Sequence, residues 1–248
     1  MIRGCKLLRA PLCKRKEMQS MRVTYNENHR KIVCGGIDKI RAAFAESDTG
    51  EILSLLLCLD FYLDPYYGHK LPYEKEVFDL LQETAVKSSN DNVTEDCLNL
   101  LSSYSYPPFT ILEKNIDSIK ADNTKQMIRD FLCEQDWDCN FTELQNIIDE
   151  LHKEFGSSFG WTMIPLLQSD GQYVQELKKE LGEENELSKE MIFAGARNEA
   201  SGEVLYFLPD SVWRIYHLTY SDNNSNGFPL YREFPDIGTL RDFFRENL

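Results

Sequence analysis

The spacing of apolar residues changes character near residue 136, and this change limits the fold more than any other feature of the chain. From about residue 35 to 135, apolar side chains recur every three or four residues, as in Ile37, Ile40 and Phe44, which indicates amphipathic helices. The later runs "EMIFAGARN", "GEVLYFLP" and "VWRIYHLTY" are short, rich in β-branched and aromatic residues, and separated by turn-forming residues, which is typical of strands. Helices grouped ahead of strands predict an α+β protein.

The helical part, predicted to span residues 22–135, contains a weak internal echo. The segments "EILSLLLCLDFYLDP", from Glu51, and "EDCLNLLSSYSYPP", from Glu95, begin 44 residues apart, and both end in aromatic residues and proline. An offset of about 40–47 residues is the length of paired-helix repeats of the HEAT or armadillo type. The echo therefore predicts a HEAT-like helical domain, although stacked amphipathic helices without true repetition give a similar pattern.

Residues 136–248 are predicted to form a small α+β domain. The segment "NFTELQNIIDELHKEFG" is predicted to be a helix capped by Asn140 and ended by Gly156, and Gly182 is predicted to end a shorter helix. Three strand-like runs follow, "PLYREF" offers a fourth strand, and Asp236 is placed to cap a last helix. This order predicts an antiparallel sheet with helices on one face.

The charge of the chain is strongly and unevenly acidic. Its 248 residues include 27 Lys and Arg against 41 Asp and Glu, a net charge of −14. Residues 1–20 hold six of the basic residues and one acidic residue, so the remaining chain has a net charge of −19. Such a body repels nucleic-acid phosphates and anionic membranes and favours a basic protein partner, unless the acidity serves only solubility.

The start of the chain and its cysteines bear on where the protein works. Residues 1–21 lack the continuous apolar centre of a signal peptide, and we expect them to be disordered or to precede the true start, with Met18 and Met21 as alternatives; a functional basic arm is the other possibility. The sequence contains no run of about 18 apolar residues, so it predicts no membrane span. Seven cysteines without a CxxC pair are typical of reduced thiols, and together these features predict a cytoplasmic protein.

No sequence motif for a cofactor, a metal ion or a nucleophile stands out. The histidines are scattered, without HxH or HxxxH pairs, and Cys133 and Cys139 are spaced too widely for a zinc knuckle. No phosphate-binding loop and no GxSxG elbow occurs. The sequence therefore predicts no cofactor, no bound metal and no enzymatic activity.

His217 is the one histidine in a suggestive position, near the end of the run "VWRIYHLTY". Strand alternation places His217 on one face with Ile215 and puts Tyr216 on the other. A general base needs an orienting carboxylate, which Asp222 or Glu233 could supply. The alternative, favoured by the lack of a nucleophile, is a structural histidine that hydrogen-bonds the loop behind it.

Two tyrosine-rich segments and one tryptophan are the best candidates for a partner-binding surface. Prolines predict loops in "DFYLDPYYGHKLPYE" (60–74) and "SYSYPPF" (103–109), where exposed tyrosines suit the centre of an interface. In "CEQDWDCNFTE" (133–143), a tryptophan between aspartates suits a basic partner. The predicted contact residues are Asp60, Asp64, Tyr66, Tyr67, Tyr104, Tyr106, Asp136, Trp137 and Asp138. The alternatives are that the tyrosines close the ends of helix pairs and that Trp137 is buried at a domain junction.

The segments "LLLCLDFYLDPYYGHKLPYEKEVFDLLQE" and "EDCLNLLSSYSYPPFTILEKNID" resemble HEAT-like immunity proteins found beside bacterial polymorphic toxins. The tail "WRIYHLTYSDNNSNGFPLYREFPDIGTLRDFF" is similar to the end of uncharacterised bacterial α+β proteins, some encoded beside such toxins, in which His217-Leu218-Thr219 and Pro229 recur. The resemblance covers roughly half of the chain and implies a cytosolic protein that binds and blocks one toxin without chemistry of its own. An adaptor or scaffold protein, and an enzyme that uses His217, are the alternatives.

Overall fold

The computed structural model describes residues 23–221 and 229–247, and the chain divides between Tyr73 and Glu74 into two compact units. Helices dominate the N-terminal part, and an antiparallel sheet lies in the C-terminal part, so the predicted α+β arrangement is confirmed. Residues 1–21, which the sequence predicted to be disordered or to precede the start, lie outside the described residues.

The described part of the first unit consists of helices α1 (Glu27–Cys34), α2 (Ile37–Glu46) and α3 (Thr49–Leu63). Asn26 and Asp48 cap α1 and α3, since their side-chain oxygens accept hydrogen bonds from first-turn amides that have no partner within the helix. The buried residues of α3 are all apolar, among them Leu55, Cys58 and Leu59. α3, which packs on α1, therefore supplies most of the core of this unit.

The helical part of the second unit consists of α4 (Glu74–Lys87), α5 (Asp91–Tyr104), α6 (Thr110–Asn115) and α7 (Asp122–Phe155). The sequence echo aligned α3 with α5, but the aligned residues differ in environment. Leu57 is 37% exposed, whereas its equivalent Leu101 is buried. Tyr62 lies within α3, whereas its equivalent Tyr106 lies beyond the end of α5. The echo therefore does not correspond to two helices with the same buried face.

α7 is a single helix of 34 residues, and the prediction that a new helix begins at Asn140 is wrong. The Asn140 side chain donates a hydrogen bond to the main-chain oxygen of Asp136 at 2.9 Å, which lets asparagine occupy a helix interior. The boundary predicted between residues 135 and 136 falls within this helix. Gly156 ends α7 with a φ of 58°, as predicted. In the described ranges, no helix combines the length and the apolarity that crossing a bilayer requires.

The remaining elements of the second unit are β1 (Trp161–Met163), α8 (Gln172–Leu181), β2 (Phe193–Asn198), β3 (Glu203–Leu208), β4 (Val212–His217), β5 (Tyr231–Phe234) and α9 (Ile237–Glu246). The strands lie in chain order, and each is antiparallel to its neighbours. Gly182 ends α8, and the Asp236 side chain accepts a hydrogen bond from Thr239 N at 2.7 Å to cap α9. Both assignments, and the strand in "PLYREF", confirm the sequence predictions.

Helices cover both faces of the sheet, whereas the sequence predicted helices on one face only. On the first face, α7 and α9 pack on Phe207, Trp213 and Ile215. On the second face, α8 packs on Tyr206 and Tyr216. Alternate residues of β3 and β4 point to opposite faces of the sheet, and both sets are largely apolar. Each face is therefore buried only if helices pack on it.

Candidate functional site

An aromatic cluster lies at the end of α3 in the first unit. It consists of Tyr25, Phe61, Tyr62, Tyr66, Tyr67 and His69, and the ring centroids of neighbouring members are 4.5–6.0 Å apart. At these separations aromatic pairs attract each other by about 0.5–1.5 kcal/mol beyond the effect of buried area. Phe61 is the centre of the aromatic cluster, because its ring contacts four of the other rings.

Local hydrogen bonds hold the loop that carries the exposed rings. Residues Pro65–Tyr67 form one turn of 3-10 helix, and Asp64 Oδ1 accepts a hydrogen bond from Tyr66 N at 2.8 Å. Gly68 follows with a φ of 70°, a left-handed conformation that favours glycine. Tyr66 is 87% exposed and Tyr67 is 50% exposed. The turn therefore presents two tyrosine rings from an ordered backbone, which lowers the entropy lost on binding a partner.

The aromatic cluster already holds one positive charge of its own. The guanidinium carbon of Arg30 lies 5.4 Å from the ring centroid of Tyr25 and 5.6 Å from that of Phe61, within the range of cation–π attraction. A hydrogen bond with Cys34, together with burial, raises the pKa of Tyr62 to about 12, so this phenol stays neutral at physiological pH. Cation–π attraction to the Tyr25 and Phe61 rings is therefore already made by a side chain of the protein itself.

Four further predicted contact residues differ in exposure, namely Asp60, Asp64, Tyr104 and Tyr106. Asp60 and Asp64 are both half-buried, and Asp64 is the cap of the loop described above. In the second unit, Tyr104 is the half-buried last residue of α5, whereas Tyr106 is 70% exposed. Phe109 turns inward and is 2% exposed, so the segment 103–109 offers one outward ring rather than a group.

The prediction that Trp137 is exposed is wrong. Its ring is fully buried between α7 and the sheet, with centroids 5.4 Å from the parallel ring of Phe193 and 6.1 Å from Trp213. Gly195 makes room for it, since a Cβ at this position would lie 3.1 Å from Trp137 Cη2. Because α7 continues over the sheet without a break, residue 137 faces the core of the unit and cannot contact a partner.

The two aspartates that flank Trp137 have different environments. Asp136 is half-buried and accepts a hydrogen bond from Ser211 Oγ at 3.1 Å. Burial raises the pKa of its carboxyl group above the usual value, although that hydrogen bond opposes the shift. Asp138 is exposed. This part of α7 therefore presents a carboxylate to solvent, but no aromatic ring between carboxylates.

The acidity of the chain is concentrated in the second unit. Residues 23–73 hold seven Asp and Glu against five Lys and Arg, whereas residues 74–248 hold 33 against 15. The aromatic cluster thus belongs to a nearly neutral stretch, and the long-range negative potential comes from the second unit. Aromatic anchoring and electrostatic attraction are properties of different units, whereas the sequence interpretation had joined them in one surface.

A row of mostly polar residues closes one end of the sheet, on the face that α7 and α9 cover. The row consists of Trp161, Asn198, Glu203, His217 and Leu230. Trp161 pairs with Asn198, Glu203 pairs with His217, and His217 N donates a hydrogen bond to Leu230 O at 3.1 Å. The adjacent row is apolar at Leu205 and Ile215, which belong to the core. The core of the sheet therefore ends at this row.

A cleft of about 440 Å³ opens beside the polar row. Its aromatic lining is Trp161, Phe243 and Phe244, and its polar lining includes Asn198, Glu203, His217, Arg232 and Asn247. The alternation predicted for β4 is confirmed, because Ile215 and His217 face the cleft while Tyr216 packs on the opposite face. The His217 main chain bonds the segment behind it through Leu230, and the residue is exposed.

Glu233, suggested as the carboxylate that orients His217, lies on the opposite face of the sheet. Its Oε2 accepts a hydrogen bond from Arg214 Nε at 2.8 Å, and strand alternation puts Arg214 and His217 on different faces. Asp222, the other suggestion, lies outside the described residues. The carboxylate directly opposite His217 is that of Glu203, which the sequence interpretation missed. Counting outward from the "LPDS" turn would have found this pair, because a short turn fixes the register of a hairpin.

In the part of the chain that the structure describes, no three His, Cys, Asp or Glu side chains are grouped for metal binding. None of the five described cysteines is part of a disulfide. Burial raises the pKa of Cys97 and Cys133 far above that of an exposed cysteine, which leaves their thiols protonated and unreactive.

No protein-family model, no curated protein sequence and no solved structure matches this chain. The geometry of the aromatic cluster and of the cleft is therefore the basis for assigning a function.

Proposed function

We propose that this protein is a non-catalytic, cytoplasmic binding protein that neutralises a basic bacterial toxin, in line with its resemblance to HEAT-like immunity proteins. The observation that carries the proposal is the aromatic cluster, in which Tyr66 is 87% exposed and Tyr67 is 50% exposed. Interface centres are rich in tyrosine, because the ring buries a large area, loses little rotamer entropy and keeps a hydroxyl for hydrogen bonding. Burying these two rings against a partner removes their apolar surface from water.

The charge of the second unit supports a basic partner. Its 33 carboxylates against 15 Lys and Arg produce a negative potential that attracts positive proteins from solution. Toxins that cleave nucleic acids are typically basic, because they bind phosphate. At physiological ionic strength the attraction acts over a Debye length of about 8 Å, so it mainly raises the rate of association.

Neutralisation of this kind requires no chemistry from the chain. A bound protein that covers the active face of a toxin excludes the substrate, and the strength of the block is set by how long the complex lasts. Differences in affinity among related complexes lie mainly in the dissociation rate. We therefore propose that contacts with the aromatic cluster slow dissociation of the complex, and that the negative charge of the second unit speeds its association.

Co-expression with the product of each neighbouring gene tests this proposal. We expect one basic protein to be inhibitory when expressed alone, to be tolerated with this chain, and to copurify with it. The association rate, measured by surface binding at two ionic strengths, should fall steeply as salt screens the charges. A partner with net negative charge, or an association rate indifferent to salt, contradicts the electrostatic part of the proposal. A partner that this chain modifies chemically contradicts the non-catalytic part.

A further inference from the structure

Arg232 differs from the other arginines of β4, β5 and α9 in its partners. The others contact carboxylates at 2.7–3.1 Å: Arg214 with Glu233, Arg241 with Glu150, and Arg245 with Glu154. Within the described ranges, Arg232 has no carboxylate partner, and its guanidinium carbon lies 4.7 Å from the ring centroid of Phe243. A guanidinium that stacks on a ring through its face keeps the N–H donors at its edge available.

The guanidinium of Arg232 and the ring of His217 line the same cleft. Arg232 pairs with Ile215, one row closer to the centre of the sheet than His217, and both side chains are on the cleft face. No side-chain partner of His217 is found in the described part of the chain. Glu203 lies across from His217 on β3, the side away from Arg232, and its Oε2 accepts a hydrogen bond from Ser201 Oγ at 2.7 Å. Two donor groups thus line the cleft from β4 and β5, while the carboxylate of Glu203 lines it from β3.

Aromatic side chains form one wall of the cleft. The rings of Trp161 and Phe244 have centroids 5.1 Å apart and are tilted by 48° to each other, and the half-buried Phe243 continues the same wall. The volume of about 440 Å³ is within the range of about 300–1,000 Å³ that is usual for small-molecule sites. An aromatic wall with a few converging polar groups is the usual composition of such sites.

We propose that this cleft binds a small molecule that carries a carboxylate or phosphate group on an apolar body. The oxyanion is held by Arg232 and His217, because the guanidinium fork matches two oxygens of such a group at once. The apolar body packs against the aromatic wall of Trp161, Phe243 and Phe244. The site lies in the second unit and does not depend on the aromatic cluster, so it is filled whether or not the protein binds a toxin.

Titration of the full chain with benzoate and with phenyl phosphate tests the site, with NMR signals of the side chains as the readout. We expect one or both probes to shift the indole N–H signal of Trp161 in a saturable way, and the stronger of the two identifies the oxyanion. The indole signal of Trp137, which is fully buried in the core, is the internal reference and should not move. Acetate, inorganic phosphate and benzyl alcohol, which offer the charged group or the ring alone, should bind at least about tenfold more weakly.

Variants of the arginine separate specific binding from general attraction. Arg232→Gln should weaken binding about tenfold or more, and Arg232→Lys should have an intermediate effect, because lysine keeps the charge but loses the fork. Arg241→Gln is the matched control, since its guanidinium pairs with Glu150 and does not line the cleft, and it should bind as the wild type does. The proposal is overturned if neither probe gives saturable binding, or if folded Arg232→Gln and Arg232→Lys both bind as tightly as the wild type.

Discussion

Replacing Trp137 with alanine is expected to lower the free energy of unfolding by about 3–5 kcal/mol. The ring is fully buried, and its centroid lies 5.2–6.1 Å from those of Phe141, Phe193, Phe207 and Trp213. Burying an aromatic side chain of this size removes about 150–250 Å² from water, which corresponds to about 4–6 kcal/mol at about 25 cal/mol per Å². Alanine retains a small part of this burial free energy, while the cavity and the lost ring contacts further lower the free energy of unfolding.

Trp137→Phe provides a sharper test, because one group of the tryptophan side chain destabilises the folded protein. The indole Nε1 is buried and finds no hydrogen-bond partner among residues 23–221 and 229–247, and an unsatisfied buried donor costs about 1–3 kcal/mol. Phenylalanine removes this donor and keeps most of the ring contacts. We therefore expect Trp137→Phe to cost less than about 1.5 kcal/mol, well below the cost of Trp137→Ala.

Urea denaturation followed by far-UV circular dichroism measures both changes without using tryptophan fluorescence, which the substitutions themselves alter. Leu167→Ala is the control, because Leu167 is 77% exposed, and its effect should lie within about 0.5 kcal/mol of zero. A Trp137→Ala protein with wild-type stability and weakened partner binding would refute the reasoning, since that result requires a surface ring.

Three further predictions concern the second unit. Gly195→Ala should cost about 1–3 kcal/mol in the same denaturation assay, because the added Cβ would lie 2.7 Å from Leu144 Cδ2 and 3.1 Å from Trp137 Cη2. Glu180→Ala should cost about 3 kcal/mol and speed amide hydrogen exchange at residues 219–220, whose main-chain N–H groups donate to its buried carboxylate at 2.8 and 2.6 Å. Burial raises the pKa of Asp136, which makes its ionised form less favourable in the folded than in the unfolded state. Asp136→Asn should therefore stabilise the protein at neutral pH, and this gain should shrink as pH falls through the raised pKa, in denaturation curves between about pH 7 and pH 4.

The features predicted correctly from the sequence depend on short-range physics. Gly156, Gly182 and Asp236 end or cap helices through backbone conformations and hydrogen bonds that involve only a few neighbouring residues. The alternation in β4 likewise follows from local geometry, which correctly placed His217 on the face opposite to Tyr216. The α+β arrangement was predicted correctly because the helical and strand segments were identified in their correct order along the chain.

The features that failed depend on contacts between residues far apart in the chain. Whether Trp137 is buried depends on a sheet that begins more than twenty residues later and on the space left at Gly195. Asn140 has a side chain suited to a helix cap, but the apolar stripe on both sides of it packs as one continuous helix. The pairing of His217 with Glu203 is an exception, because the short turn between β3 and β4 fixes this register locally, and the sequence interpretation considered β4 alone.

The most direct test of the central claim is the dissociation rate of the Tyr66→Ala, Tyr67→Ala double variant from the basic partner. If the two exposed rings anchor the complex, the double variant should dissociate at least about 30-fold faster, equivalent to about 2 kcal/mol, with little change in the association rate. Leu167→Ala removes an equally exposed apolar side chain from outside the aromatic cluster and should dissociate as the wild type does. A double variant that folds and dissociates at the wild-type rate would contradict the account.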